Sequence, residues 1–311
     1  MLLFPSVIGS LYALELTVMP ANTVHVPLRT SSFLSSQEGW FKSQTDFRDI
    51  KRLFELATQN LQDGKYNQAI EIYTRILNID PSIHEAYTNR GIAKYHLDLF
   101  QLAIQDFNMA LRINGSDFWA LAYRGLSYRE LGNLQQAVSD LSRAIQVQPS
   151  EAFVYYERAL TKALMNSYQD AIADLTKAIN MNPKNLDFYL LRAGLYRESG
   201  NCPSALQDYN IILRLDSQNS FAYLGRGICA IASKPDLAIK DFNSALKYSP
   251  SLVTVYKYRG VAYMLVDQLA QGCADLSKAI KVDPGFSNPN PAPMYREFLK
   301  AYNSNCGVPR R

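Results

Sequence analysis

Residues 152–185 read AFVYYERALTKALMNSYQDAIADLTKAINMNPKN, and the same plan recurs on both sides of them. Pro183, near the end of this stretch, has counterparts at Pro149, Gly115 and Pro81, each 34 residues before the next. Downstream the counterparts are Ser217, then Pro250 after the loss of one residue, then Pro284. Self-similarity at a period of this size means that one supersecondary unit is stacked on copies of itself, because a single copy cannot bury its apolar face alone. The copies span 50–83, 84–117, 118–151, 152–185, 186–219, 220–252 and 253–286.

Within each copy the eighth position is small: Ala57, Gly91, Gly125, Ala159, Ala193, Gly227 and Gly260. The twentieth is Ala69, Ala103, Ala137, Ala171, Ala205, Ala238 and Gly272. Position 4 is large (Leu53, Tyr87, Leu121, Tyr155, Tyr189, Tyr223, Tyr256), as is position 24 (Tyr73, Phe107, Leu141, Leu175, Tyr209, Phe242, Leu276). Positions 4, 8 and 11 share one stripe of a helix, and 20, 24 and 27 share a stripe of a second. Small residues at 8 and 20 let the two helices approach where they cross, and the large ones fill the flanks. Turn sequences such as QDGKY, LGNL and ESGNC separate the helices, and the proline stops the second one.

These residues resemble the tetratricopeptide repeat (TPR), and the resemblance covers residues 50–286. It implies an all-α, right-handed superhelical solenoid of helix–turn–helix hairpins. Three departures are local. Ile76 and Ile212 replace the small residue at position 27 and should wedge their hairpins apart. Gly272 replaces Ala, and Lys234-Pro235-Asp236 is expected to shorten the inter-helix turn of repeat six.

A second regularity runs through repeats two to seven. Position 7 is Arg90, Arg124, Arg158, Arg192, Arg226 and Arg259, and position 23 is Asp106, Asp140, Asp174, Asp208, Asp241 and Asp275. Repeat one has Leu56 and Ile72 instead, so the two traits vanish together. This covariation predicts a structural ladder of Arg–Asp pairs, within a repeat or between neighbours, because the planar guanidinium grips a carboxylate with two bonds. A basic ligand-binding stripe is disfavoured, since acids match the arginines one for one.

The net charge of +4 is too small to imply nucleic acid. The four cysteines occur singly at unrelated repeat positions without a CxxC, so neither a zinc site nor a disulfide framework is expected, and a reducing, cytoplasmic setting follows. Residues 1–48 are read as a disordered or leader segment. Met1 to Leu14 is apolar but too short to span a bilayer and lacks a basic start, so it is a poor signal peptide, and Met19 is an alternative start. Phe47 to Leu61 opens the first helix, and Met294 to Tyr302 is expected to cap the solenoid's last helix within a segment spanning 287–311.

No catalytic constellation stands out. His25, His84 and His96 have no metal-ligand neighbours at helical spacing, so neither metal nor cofactor is expected. The doublets Arg129-Glu130 and Arg197-Glu198 end first helices and are read as solvated. The TPR resemblance implies a concave face built from positions 2, 5, 6, 9, 12 and 13 of the first helices. Carried over residue by residue, it holds Trp119, Tyr123, Leu126, Phe153, Tyr156, Leu160, Leu190, Phe221, Leu224, Ile228, Tyr258 and Val261. A contiguous aromatic patch marks an interaction site. The competing reading is that positions 2 and 9 are half-buried between adjacent helices. TPR co-chaperones that grip acidic carboxyl-terminal tails carry Lys and Asn at set positions. Of these only Asn89 is matched here, so that ligand is not expected. The expected function is a non-catalytic adaptor that cradles a peptide or helix of another protein. The alternatives are self-assembly, or a membrane-associated assembly or transport factor tethered by residues 1–18.

Overall fold

A computed structural model describes residues 44–282 together with 303 and 306. Fourteen α-helices and no strands occur among the described residues. They fall into two compact units, one within Ala21–Ser167 and one within Tyr168–Arg311. The first holds α1 (Gln44–Gln62), α2 (Tyr66–Ile79), α3 (His84–Tyr95), α4 (Phe100–Ile113), α5 (Phe118–Glu130), α6 (Leu134–Val147) and α7 (Ala152–Leu164). The second holds α8 (Tyr168–Met181), α9 (Leu186–Glu198), α10 (Cys202–Leu215), α11 (Ser220–Ala230), α12 (Pro235–Tyr248), α13 (Thr254–Leu265) and α14 (Leu269–Val282). In each unit successive helices pack as neighbours, and alternate helices α1, α3, α5, α7 and α9, α11 also touch, which is the connectivity of a repeat solenoid. The first helix begins at Gln44 rather than Phe47. No glycine or proline stands between Trp40 and Asp63, so nothing interrupts the helix there. The N-terminal segment before residue 44 and the capping helix expected at Met294–Tyr302 lie outside the described residues.

The small residues do their work at the crossing within a hairpin. A Cβ placed on Gly91 would lie 2.6 Å from the ring of Phe107, and one on Gly227 would lie 2.6 Å from Phe242. The position-24 side chain of the second helix therefore sits in the notch that position 8 of the first leaves open. Phe107, Phe242, Leu141 and Leu276 are all fully buried there. Ile76 and Ile212 are fully buried too.

Position 15 of six repeats adopts the left-handed backbone conformation: Gly64, Gly132 and Gly200, but also Asp98, Asn166 and Asp267. Only glycine enters this region without a steric penalty, and Asn and Asp are the side chains that tolerate it best. Repeat six has no such residue, which locates its deletion. The inter-helix connection is nevertheless not shortened there. Residues 231–234 link α11 to α12, and α11 itself is cut to 11 residues, against 13 in α9. Proline at the start of α12 supplies a ready-made helical φ, so the shortfall is taken from the end of α11.

The cysteine reading is corrected. Cys202 at the start of α10 bonds to Cys229 near the end of α11, and Cys273 in α14 bonds to Cys306, each with Cα atoms 5.5 Å apart. No free cysteine remains. Their spacing in sequence concealed the pairing because Cys202 opens α10 and Cys229 lies near the end of α11, and only the antiparallel packing of these successive helices brings the two ends together. The expectation of a reducing setting loses its basis in unpaired thiols. Alkylation without reductant should leave all four cysteines unlabelled. Cys202→Ser should cost about 3 kcal/mol in urea denaturation, the cross-link otherwise restricting the unfolded chain. Full labelling before reduction would overturn the assignment.

Candidate functional site

The position-7 arginines project from the first helices at a fixed register. Arg90 donates from Nε and Nη2 to Asp106 at 2.9 and 2.7 Å, and Arg124 to Asp140 at 2.6 and 2.7 Å. The same two-bond fork joins Arg192 to Asp208, Arg226 to Asp241 and Arg259 to Asp275. In each case the partners belong to one hairpin. The remaining nitrogen, Nη1, reaches back to the preceding repeat's second helix, which sequence reasoning missed. Its acceptors are Thr74, Asn108, Ser142, Thr176, Asn210 and Asn243, at 2.6 to 3.1 Å. All occupy position 25, where a short polar side chain recurs in every repeat; that recurrence was the available signal. Thr74, Ser142 and Thr176 donate their hydroxyl protons to the carbonyl four residues earlier, which leaves their lone pairs for the arginine. Tyrosine at position 4 lies beneath the guanidinium, 5.4 to 5.8 Å from it, for Arg90, Arg158, Arg192, Arg226 and Arg259. Asp174 is buried, with 2% of its surface exposed. Burial works against the charge of Arg192, but Asp208 outweighs it and holds the proton more tightly than usual.

A separate polar network joins α3 to the start of α5. Asp117 caps α5 by accepting from the Ala120 amide at 3.0 Å and also accepts from Thr88 at 2.7 Å. His84 Nδ1 meets Asp117 at 2.9 Å, and Nε2 meets Glu85 at 3.1 Å. Burial opposes a charge on His84, yet its bonds to Asp117 and Glu85 prevail and raise its pKa to about 9. Of the doublets read as solvated, only Glu130 is exposed. Arg129 pairs with both Glu130 and Glu157 and is largely buried, and the side chains of Arg197 and Glu198 are 4% and 3% exposed. Arg129, at position 12 of α5, meets Glu157 of the next first helix, so it finds protein where the sequence suggested water.

The first-helix face divides into two groups. Tyr123, Leu126, Leu190, Leu224 and Tyr258 are buried, Tyr123 at 1% exposure, and are core rather than surface. Ile228 joins them at 8%. Trp119, Phe153, Tyr156, Leu160 and Val261 are half-buried, and Phe221 is exposed. Trp119 and Phe153, at position 2 of α5 and α7, stack on each other with centroids 5.5 Å apart and planes 14° apart. Phe118 meets both rings edge-on, and Tyr123 links Trp119 to Tyr95 and His96. The structure thus gathers Trp119, Tyr123 and Phe153 within one unit. Among the described residues there is no group of three metal-ligating side chains and no helix long and apolar enough to cross a membrane.

Small-residue crossings, left-handed turns at position 15 and stacked first helices together define a tetratricopeptide-repeat protein. The C-terminal part of a TPR repeat-containing protein from Cytophaga hutchinsonii shares the fold, with a TM-score of 0.62 at 17% identity over 79% of this chain and 98% of that one. Residues 11–225 match the ETO1 C-terminal domain, and the chain belongs to that family. The mitochondrial import receptor subunit TOM70 of Rattus norvegicus is 28% identical over 102 residues, which are 32% of this chain and 16% of the receptor. A probable UDP-N-acetylglucosamine–peptide N-acetylglucosaminyltransferase, SPINDLY of Solanum lycopersicum, is 27% identical over 94 residues, 30% of this chain and 10% of that protein. The match therefore spans a sixth or less of either relative.

Two outcomes follow from this geometry. Asp208→Ala strands the Arg192 guanidinium and should cost about 3 kcal/mol by urea denaturation, whereas Lys65→Ala, at an exposed pair with Asp63, should leave the midpoint unmoved. His84 is raised above its unfolded value, so its stabilisation is complete below pH 6.5 and lost as pH climbs through about 9. Between those values the native chain should lose about 2 kcal/mol more than His84→Gln.

Proposed function

We propose that the chain is a non-catalytic adaptor that holds a segment of a partner protein against the first-helix face of its α1–α7 unit. One observation carries this reading. Two aromatic rings from successive first helices, Trp119 and Phe153, stack face to face and keep part of their surface open to solvent. An open aromatic pair on a rigid double layer of helices suits an anchor, because rigid rings bury large apolar area at small entropic cost. Tyr156 and Leu160, also half-buried on α7, extend the apolar surface. Phe221, at position 2 of α11, is an exposed aromatic ring in the second unit. The naming of TOM70 as an import receptor agrees with a role in holding other proteins. The transferase activity in the name of SPINDLY is not carried over, since the match covers 10% of that protein.

The full chain and a Trp119→Ala, Phe153→Ala variant, checked by circular dichroism, would be used side by side to capture partners from native lysate. Partners held by the native chain and lost from the variant are the expected result. Identical partners on both baits would remove the working surface from this face. A mass that rises with protein concentration, and falls in the variant, would replace an external partner by a second copy.

A further inference from the structure

We propose that the partner segment held on the α1–α7 unit carries a lysine or arginine about three residues from its bulky apolar anchor, and that Glu85 receives the cation. The inference rests on the adaptor reading of Trp119 and Phe153. Glu85, Trp119 and Phe153 all occupy position 2, on α3, α5 and α7, so they form one row across three adjacent first helices. Glu85 Oε1 meets His84, but Oε2 is shielded from solvent and has no hydrogen-bond partner. A carboxylate oxygen left in that state is costly, and a cation brought by a ligand would relieve it.

Charge in the neighbourhood points the same way. The cation His84 stands between two carboxylates, Glu85 and Asp117, and Arg129 stands between Glu130 and Glu157. Each cluster is thus one positive charge short of neutrality. The hydroxyl of Tyr123, on α5, is a second buried polar atom without a hydrogen-bond partner. Packed helices stand about 10 Å apart. An extended chain advances about 3.3 Å per residue, so a side chain at Glu85 and one at Trp119 lie about three residues apart.

The test is selection of a displayed random library of 12-residue peptides on the immobilised full chain. The expected winners carry Lys or Arg about three positions from Trp, Phe, Tyr or Leu. Replacing that basic residue by Gln in the peptide should weaken binding about tenfold, and the loss should shrink on Glu85→Gln. Because the substitution is made in the peptide, the result holds even if Glu85→Gln is unstable. Winners that are apolar without a basic residue, and that are lost on Trp119→Ala, would overturn the cation inference while leaving the adaptor reading intact. Winners indifferent to Trp119→Ala, or no enrichment at all, would overturn both.

Discussion

Everything in this protein depends on how closely two helices of a hairpin can cross. Where Gly91 faces Phe107, a single extra carbon would stand 2.6 Å from the ring, so the crossing distance is set by the absence of a side chain. That distance decides how deeply the position-24 residue is inserted, and within each unit its insertion helps neighbouring hairpins bury a shared interior. Repetition then extends the same solution along the chain, each copy burying what its neighbour would expose.

The arginine forks add direction to that packing. An apolar stack fixes distance but is tolerant of small rotations about the contact. A guanidinium held by two bonds to Asp in its own hairpin, and by a third to position 25 of the hairpin before, admits much less. The desolvation of such charges is expensive, and the gain in net stability from the assembled pair can be small. The consequence lies in registry: each brace ties together three helices from two repeats. The underlying tyrosine shields one face of the guanidinium, which strengthens the bonds by keeping water away.

On the first-helix side of the α1–α7 unit the same packing yields a surface of mixed character. Tyr123 at position 6 and Thr58, Ile92 and Leu126 at position 9 are drawn into the core, while Glu85, Trp119 and Phe153 at position 2 remain partly open. The repeat thus sorts an apolar sequence stripe into a supporting layer and an outer layer. Tyr123 supports from beneath; Trp119 and Phe153 lie above it. Acidic residues at position 2 of α3 and positions 6 and 13 of the neighbouring helices give this face its polarity.

The fold was legible in the sequence because a 34-residue period with small residues at positions 8 and 20 admits few other three-dimensional solutions. The coincidence of position-7 Arg with position-23 Asp was legible for the same reason, as every repeat restates it. Three matters were decided only by tertiary structure. Cys202 and Cys229 become neighbours because the start of α10 packs beside the end of α11, and which side chains meet there depends on how the two helices are rotated. Arg129 loses its solvent because Glu157 of the adjacent first helix meets it, and Arg197 is buried as well. The division of the aromatic stripe into core and surface depends on which neighbour each side chain meets, and periodicity describes one helix at a time. Local pattern therefore determined the elements and their order, while the contacts between repeats determined which of their residues are left to bind.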